Sequence, residues 1–256
     1  MQTFILGFVV VGLSILLTHL GLRLVRSLVP LPVLQSHHEV AGFIIGVLGA
    51  IYAVLLAFVV VVMWNQYGDA RANVEREANQ LSDLSHLAQG FNEPARSQLL
   101  SMMRAYAQSA MDDEWPAMAE GRESQRTQAT LDSLWRAYLA IEPQTSRENV
   151  LFQESVSHLN EMSASRRLRL YASRDDLPMV IQILLWGGGA ITIAFTYFFG
   201  VRSVRSQALM TAALAGVVAF ILFLTLALDN PFHGYVRASP DPLRQVLERI
   251  QTISAQ

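Results

Sequence analysis

Apolar residues in this chain gather into four long runs separated by polar stretches that keep a helical rhythm. The runs cover approximately Phe4 to Leu22, Val40 to Trp64, Pro178 to Gly200 and Ala208 to Leu228, and none contains Asp, Glu, Lys or Arg. About 20 apolar helical residues cross a hydrocarbon core of about 30 Å, so each run is long enough to span a bilayer. The first begins at once with Phe4-Ile5-Leu6-Gly7-Phe8, without a basic leader or a small-residue cleavage pattern, and reads as a retained helix.

The second run continues beyond its apolar part. Val74, Ala78, Leu81, Leu84 and Ala88 recur at spacings of three and four, no proline intervenes, and only Gly68 weakens the pattern. One long helix is therefore expected to leave the membrane and enter the polar segment. There, Asn92 and Pro94 start a helix bearing Leu99, Met103, Tyr106 and Ala110, and Asp112-Asp113-Glu114-Trp115-Pro116 ends or bends it. A further helix spans about Glu123 to Ile141 and closes at Pro143. Thr145 and Glu148 then form a capping-box pattern for another, running to about Tyr171. Asp175 and Asp176, ahead of Pro178, suit the start of the third run. The last run stops at Asn230-Pro231, and Leu243, Val246, Leu247 and Ile250 mark an amphipathic stretch after it.

No segment alternates as a strand would, so the expectation is an all-α membrane protein. Residues 1–64 hold membrane helices 1 and 2, 65–177 a helical polar domain, 178–228 membrane helices 3 and 4, and 229–256 a C-terminal tail.

Composition sharpens this picture. Of 256 residues 52% are hydrophobic and 16% charged, against about 25% charged in soluble domains. The formal net charge of -2 offers no basic face for nucleic acid. Cysteine is absent, which removes disulfides, thiolate metal sites and thiol nucleophiles. All 19 basic residues are Arg, which excludes a Schiff-base or P-loop lysine. Uncharged spans argue against a proton- or ion-coupled carrier, because intramembrane ionisable residues mark such relays. Small residues at helical spacing, Gly42, Gly46 and Ala50, then Ala208, Ala212 and Gly216, suit close helix packing in a bundle or oligomer. Gly187-Gly188-Gly189 serves either packing or a bend.

Catalytic constellations are missing from the sequence. His37-His38-Glu39 is the densest set of metal-ligand types, yet neighbours on a short loop do not converge on one ion. Asp112, Asp113 and Glu114 lack the alternate spacing of a calcium loop and read as a solvated helix end. His86 and His158 fall within polar helices, with solvated or core-edge positions the default. A lipid-acting enzyme would rest on these residues alone, and no enzyme, metal or cofactor is expected. Charge does not decide orientation: Arg23, Arg26, Arg202 and Arg205 on the short connections are countered by Arg71, Arg76, Arg166, Arg167, Arg169, Arg174, Arg237 and Arg244 on the other side.

Two strings say more. The second span ends in Trp64-Asn65-Gln66-Tyr67, an aromatic and amide girdle, and the last exits through Asn230-Pro231-Phe232 with Gly234 close behind. In this order they resemble the bestrophins, as does the plan of two spans, a helical domain and two spans. Tyr52-Ala53-Val54-Leu55-Leu56-Ala57-Phe58, Glu114-Trp115-Pro116 and Leu228-Asp229-Asn230-Pro231-Phe232 are similar to recurrent strings of the bestrophin-like bacterial membrane proteins. The resemblance implies an oligomeric, typically pentameric, anion channel in a bacterial inner membrane, permeable to chloride, with its polar domain cytosolic. It also implies a pore-facing neck at Ile51, Leu55, Phe58 and Val62, with anion contacts beyond it at Asn65, Gln66, Arg71 and Arg76. The acidic run after Asn-Pro-Phe-Gly of calcium-activated animal bestrophins is replaced by His233, Gly234 and Tyr235, so no calcium clasp is implied; the Arg-Phe-Pro string near their start is absent too. The alternative is a non-conducting membrane module that senses or scaffolds through its helical domain.

Overall fold

A computed structural model describes residues 2–36, 38–175, 177–233 and 236–254 of the chain. Among them every regular element is helical. In order these are α1 (Gln2–Leu28), α2 (Leu31–Ser36), α3 (His38–Ala88), α4 (Ala95–Ser109), a π turn (Ala110–Glu114), α5 (Trp115–Met118), α6 (Gln125–Leu139), α7 (Ser146–Ala172), α8 (Met179–Phe195) with a 3-10 turn (Thr196–Phe198), α9 (Val204–Asp229) and α10 (Asp241–Ser254). The four long apolar helices, at Ile5–Leu28, Glu39–Ala88, Met179–Phe198 and Val204–Asp229, meet the length and hydropathy needed to cross a membrane. The all-α membrane fold expected from the sequence is the fold found.

The chain forms two compact units, Met1–Asn65 with Leu177–Asp229, and Gln66–Asp176 with Asn230–Gln256. The first holds the apolar helices. α1 lies along α9, and α8 packs on α9 as well. The inward face of α9 is Thr211, Ala215, Val218 and Leu222, so the small-residue stripe at Ala208, Ala212 and Gly216 flanks the buried face instead of centring it. Close approach is resolved at the triple glycine. α8 is helical throughout, and a Cβ on Gly188 would stand 2.7 Å from the Tyr52 ring, one on Gly189 2.8 Å from its hydroxyl oxygen. Gly187 faces open space. Two of the three glycines therefore serve packing, and Tyr52 completes the contact by donating to the Leu185 carbonyl at 2.8 Å.

The connections of this unit are tied down. Arg26 donates to Gln207 Oε1 at 2.5 Å and to the Val201 carbonyl, and Gln207 Nε2 donates to the Thr196 carbonyl at 3.1 Å. Gln35 Nε2 donates to the Gly200 carbonyl, where any side chain would strike the Gln35 backbone. Arg26 is thus a structural group, which removes one charge from the orientation count. At the other end the Asp229 carboxylate accepts the Leu177 N–H at 2.8 Å, supplying a partner just ahead of α8. Of the expected acidic start signals, Asp175 makes no such cap and Asp176 lies outside the described residues.

The polar unit is a helical bundle whose core runs through Val74, Leu81, Leu99, Met103, Tyr106 and Leu134. Its caps follow the sequence with small shifts. Ser124 Oγ accepts from Thr127 N, starting α6 two residues later than expected. Thr145 Oγ1 accepts from Glu148 N, while the Glu148 carboxylate reaches one residue past the box to Gln144 N at 2.8 Å. The start of α4 is capped by Glu93, which accepts from Ser97 N, and not by Asn92, whose amide goes to Glu148. The amphipathic α10 packs on α4 and buries all four of Leu243, Val246, Leu247 and Ile250, each worth about 1.5–3 kcal/mol on removal from water.

Candidate functional site

The apolar part of α3 has two contrasting faces. Tyr52, Leu56, Val59 and Met63, spaced by four, three and four, are all buried against the membrane unit. Ile51, Leu55, Phe58 and Val62 carry the same spacing one residue earlier, about 100° round the helix. Ile51 is 68% and Phe58 69% exposed, and Leu55 and Val62 are intermediate. Within the expected neck stripe Ile51 and Phe58 therefore face away from the chain's own core, and Leu55 and Val62 stand at its edge. So wide an apolar surface needs lipid, another copy or a pore around it instead of bulk water. Gly46 and Ala50 also point outward, while Gly42 of the same stripe faces the Phe199 ring, 3.8 Å from where a Cβ would stand.

Where the apolar stripe ends, the four expected anion contacts separate. Counted by helical spacing, Asn65 and Arg76 continue the line of Ile51 and Phe58, Gln66 stands beside it, and Arg71 falls on a different side. Arg71 pairs with Glu75 at 3.5 Å, both well exposed, while Arg76 donates to Asn73 Oδ1 at 2.7 Å. Spacing also puts Asp69, exposed and four residues after Asn65, on the same line. Asp69 stands outside the set of donors expected of an anion path. Trp64 is exposed and Tyr67 half-buried at the girdle.

The two family strings of the polar unit meet in space. Asn230 Oδ1 accepts from the N–H groups of Phe232 and His233 at 3.0 and 3.1 Å, folding the chain back after proline has stopped α9. That turn inserts Phe232 edge-on against Trp115, with ring centroids 5.7 Å apart, and Trp115 Nε1 donates to the Ala238 carbonyl. Gly234 lies outside the described residues.

Directly behind Trp115 lies a buried charge network that the sequence did not announce. Glu114 was expected in a solvated helix end with Asp112 and Asp113, but only Asp112 is exposed and Glu114 is fully buried. The π turn inserts an extra residue that swings Glu114 inward. Its carboxylate receives Arg166 at 2.5 and 3.1 Å and Arg169 at 2.8 Å; Arg169 also makes a two-pronged pair with Glu77 at 2.6 and 2.9 Å. Tyr106 donates to Glu77 at 2.6 Å, and the Arg169 guanidinium lies 4.8 Å from the Trp115 ring centre. Two acids and two arginines balance. Burial first, then the neighbouring Glu77 carboxylate, pushes the Tyr106 phenol well above its ordinary value, keeping it a neutral donor. Burial works against the Arg169 charge, but Glu77 and Glu114 outweigh it and hold the guanidinium ionised.

Arg166 and Arg169 are accordingly structural groups and carry no weight in an orientation count. One signal was available: both share a helix face with the buried Leu159, Met162 and Leu170. Among the described residues no cluster of three or more His, Asp or Glu has metal-binding geometry. His158 meets Gln80 and Glu154, His86 meets Gln89, and the two histidines do not pair with each other; His37 lies outside the described residues.

A helical membrane unit with uncharged apolar runs and a helical polar unit, linked by one continuous helix, define the class of this protein. The chain belongs to the bestrophin-like family, whose domain model matches residues 12–243. Its fold is similar to crystal structures of point mutants of a bacterial bestrophin homologue from Klebsiella pneumoniae. One, at 12% identity, gives a TM-score of 0.75 over 96% of this chain and 99% of that one. Another, at 13% identity, gives 0.72 over the same shares. A comparison with curated proteins returns no match.

Proposed function

We propose that this chain is one subunit of an oligomeric, passive ion channel in a bacterial inner membrane, with its polar unit cytosolic as a vestibule. The observation that carries the reading is the apolar Ile51, Leu55, Phe58 and Val62 stripe, exposed at Ile51 and Phe58 and half-buried at Leu55 and Val62, on a helix that runs on into the polar unit. Copies arranged around an axis would bring these stripes together as a neck. Apolar constrictions gate by dewetting and need no ionisable group within the spans. Membership of the bestrophin-like family supports this use of the fold.

Anion permeability, with chloride as the expected ion, is supported by Asn65 and Arg76, which continue the stripe as donors. Asp69 on the same line favours a second reading, in which a ring of carboxylates at the neck exit admits cations. Purified protein in planar bilayers under a salt gradient separates them. A reversal potential that follows chloride supports the anion channel, and one that follows the cation supports the Asp69 reading. Silence across voltages, pH and calcium overturns conduction.

A further inference from the structure

On α4, Arg96, Ser97, Ser101 and Arg104 share one face and line a cavity of about 370 Å³ within the polar unit. Gln89 at the end of α3 and Ser254 at the end of α10 complete its wall. The state of each polar group decides what the cavity can hold. Glu93 is its carboxylate, and it accepts the Ser97 hydroxyl at 2.5 Å, Ser97 N at 3.2 Å and Arg96 Nε at 2.8 Å. The Ser97 hydroxyl chiefly holds its carboxyl below the usual range, so it stays ionised beside Arg96. Ser254 donates back to the Ile250 carbonyl, and the Gln89 amide turns to its own helix at 3.5 Å.

Among the described residues, Arg104 is the one charged group of the cavity left without a partner. Arg104 makes no hydrogen bond or ion pair among the described residues, and its Nε is shut off from water without an acceptor. Ser101 beside it has no side-chain partner there either. Glu93 offsets Arg96, which leaves the Arg104 charge without a counter-charge among the described residues. A guanidinium presents a planar fork of donors that matches the paired oxygens of a carboxylate or phosphate. We propose that this cavity binds a small molecule through a phosphate or carboxylate group, held by the Arg104 fork and the Ser101 hydroxyl. The volume has room for an organic body behind the charged group. The proposal is independent of conduction, because binding is read on solubilised protein.

The test is calorimetric titration of the full chain in detergent, at constant chloride, with inorganic phosphate in one arm and succinate in the other. Saturable binding of one equivalent in either arm is expected, and the arm that responds identifies the anionic group. Arg104→Gln removes the fork and should weaken binding about tenfold or more. Ser101→Asp, at an exposed position, sets a competing carboxylate beside the fork and should do the same with circular dichroism and elution volume unchanged. Arg147→Gln, an exposed surface charge elsewhere on the polar unit, should leave binding intact. Absence of saturable heat in both arms, or wild-type affinity in Ser101→Asp, overturns the proposal.

Discussion

Phe232 stands edge-on to Trp115 at an interplanar angle of 81°, joining the two short strings by which the polar part of this chain resembles its family. Phe232 is 1% exposed, and the Trp115 indole in turn holds the Ala238 carbonyl. The Asn-Pro-Phe string is thus a docking device that anchors the segment leading to α10. Phe232→Ala is expected to destabilise the polar unit by about 3–5 kcal/mol, the range for emptying a buried aromatic site. Earlier protease cleavage between residues 230 and 254, with a red-shifted Trp115 emission, would show it.

Glu114→Gln leaves Arg166 without its charged partner and Arg169 with only Glu77. Removing one member of a buried ion pair costs about 3–5 kcal/mol, more than the pair itself contributes, because the remaining charge stays desolvated. The double change Glu114→Gln with Arg166→Met should therefore be less destabilised than Glu114→Gln alone. A double-mutant cycle on thermal unfolding checks it, and the same loss of fold would accompany any apparent loss of activity at Glu114.

The three consecutive glycines of α8 should respond differently to the same change. Gly187→Ala meets nothing and should be neutral or stabilising by up to about 1 kcal/mol, from helix propensity alone. Gly188→Ala drives a methyl into the Tyr52 ring and should lower the melting temperature in detergent. Gly189→Ala meets the Tyr52 hydroxyl, so Tyr52→Phe should recover part of its loss.

Selectivity should follow the register of α3. Arg76→Gln, on the line of the stripe, is expected to reduce relative chloride permeability, and Asp69→Asn to raise it. Arg71→Gln, off that line and paired with Glu75, should leave the reversal potential where it was.

Much of this architecture was legible because it rests on local rules. Four uncharged runs fix the spans, and α3 could be followed to Ala88 since neither proline nor a break in spacing intervenes. The helix cap at Thr145 is chemistry between near neighbours. What escaped depends on partners far along the chain. Glu114 looked like one of three solvated acids until a π turn, which has no simple sequence code, rotated it toward Arg166. Leu243 to Ile250 announced a buried face without saying that α4 would cover it. The inward side of α3 was hidden for another reason: the helix is apolar all round within its span, and distant contacts such as the seating of Tyr52 on Gly188 help decide which side is buried.

The absence of cysteine from the natural sequence makes the central claim directly accessible, because each introduced thiol is the only one present. Cysteine is placed singly at Ile51, Leu55, Phe58 and Val62, and at Ala57, an exposed position about 100° round the helix from Phe58. Current through reconstituted protein is then recorded while a charged, membrane-impermeant thiol reagent is applied. The neck account predicts block at the four stripe positions and none at Ala57→Cys. Equal sensitivity at all five, or block at Ala57→Cys alone, would contradict it.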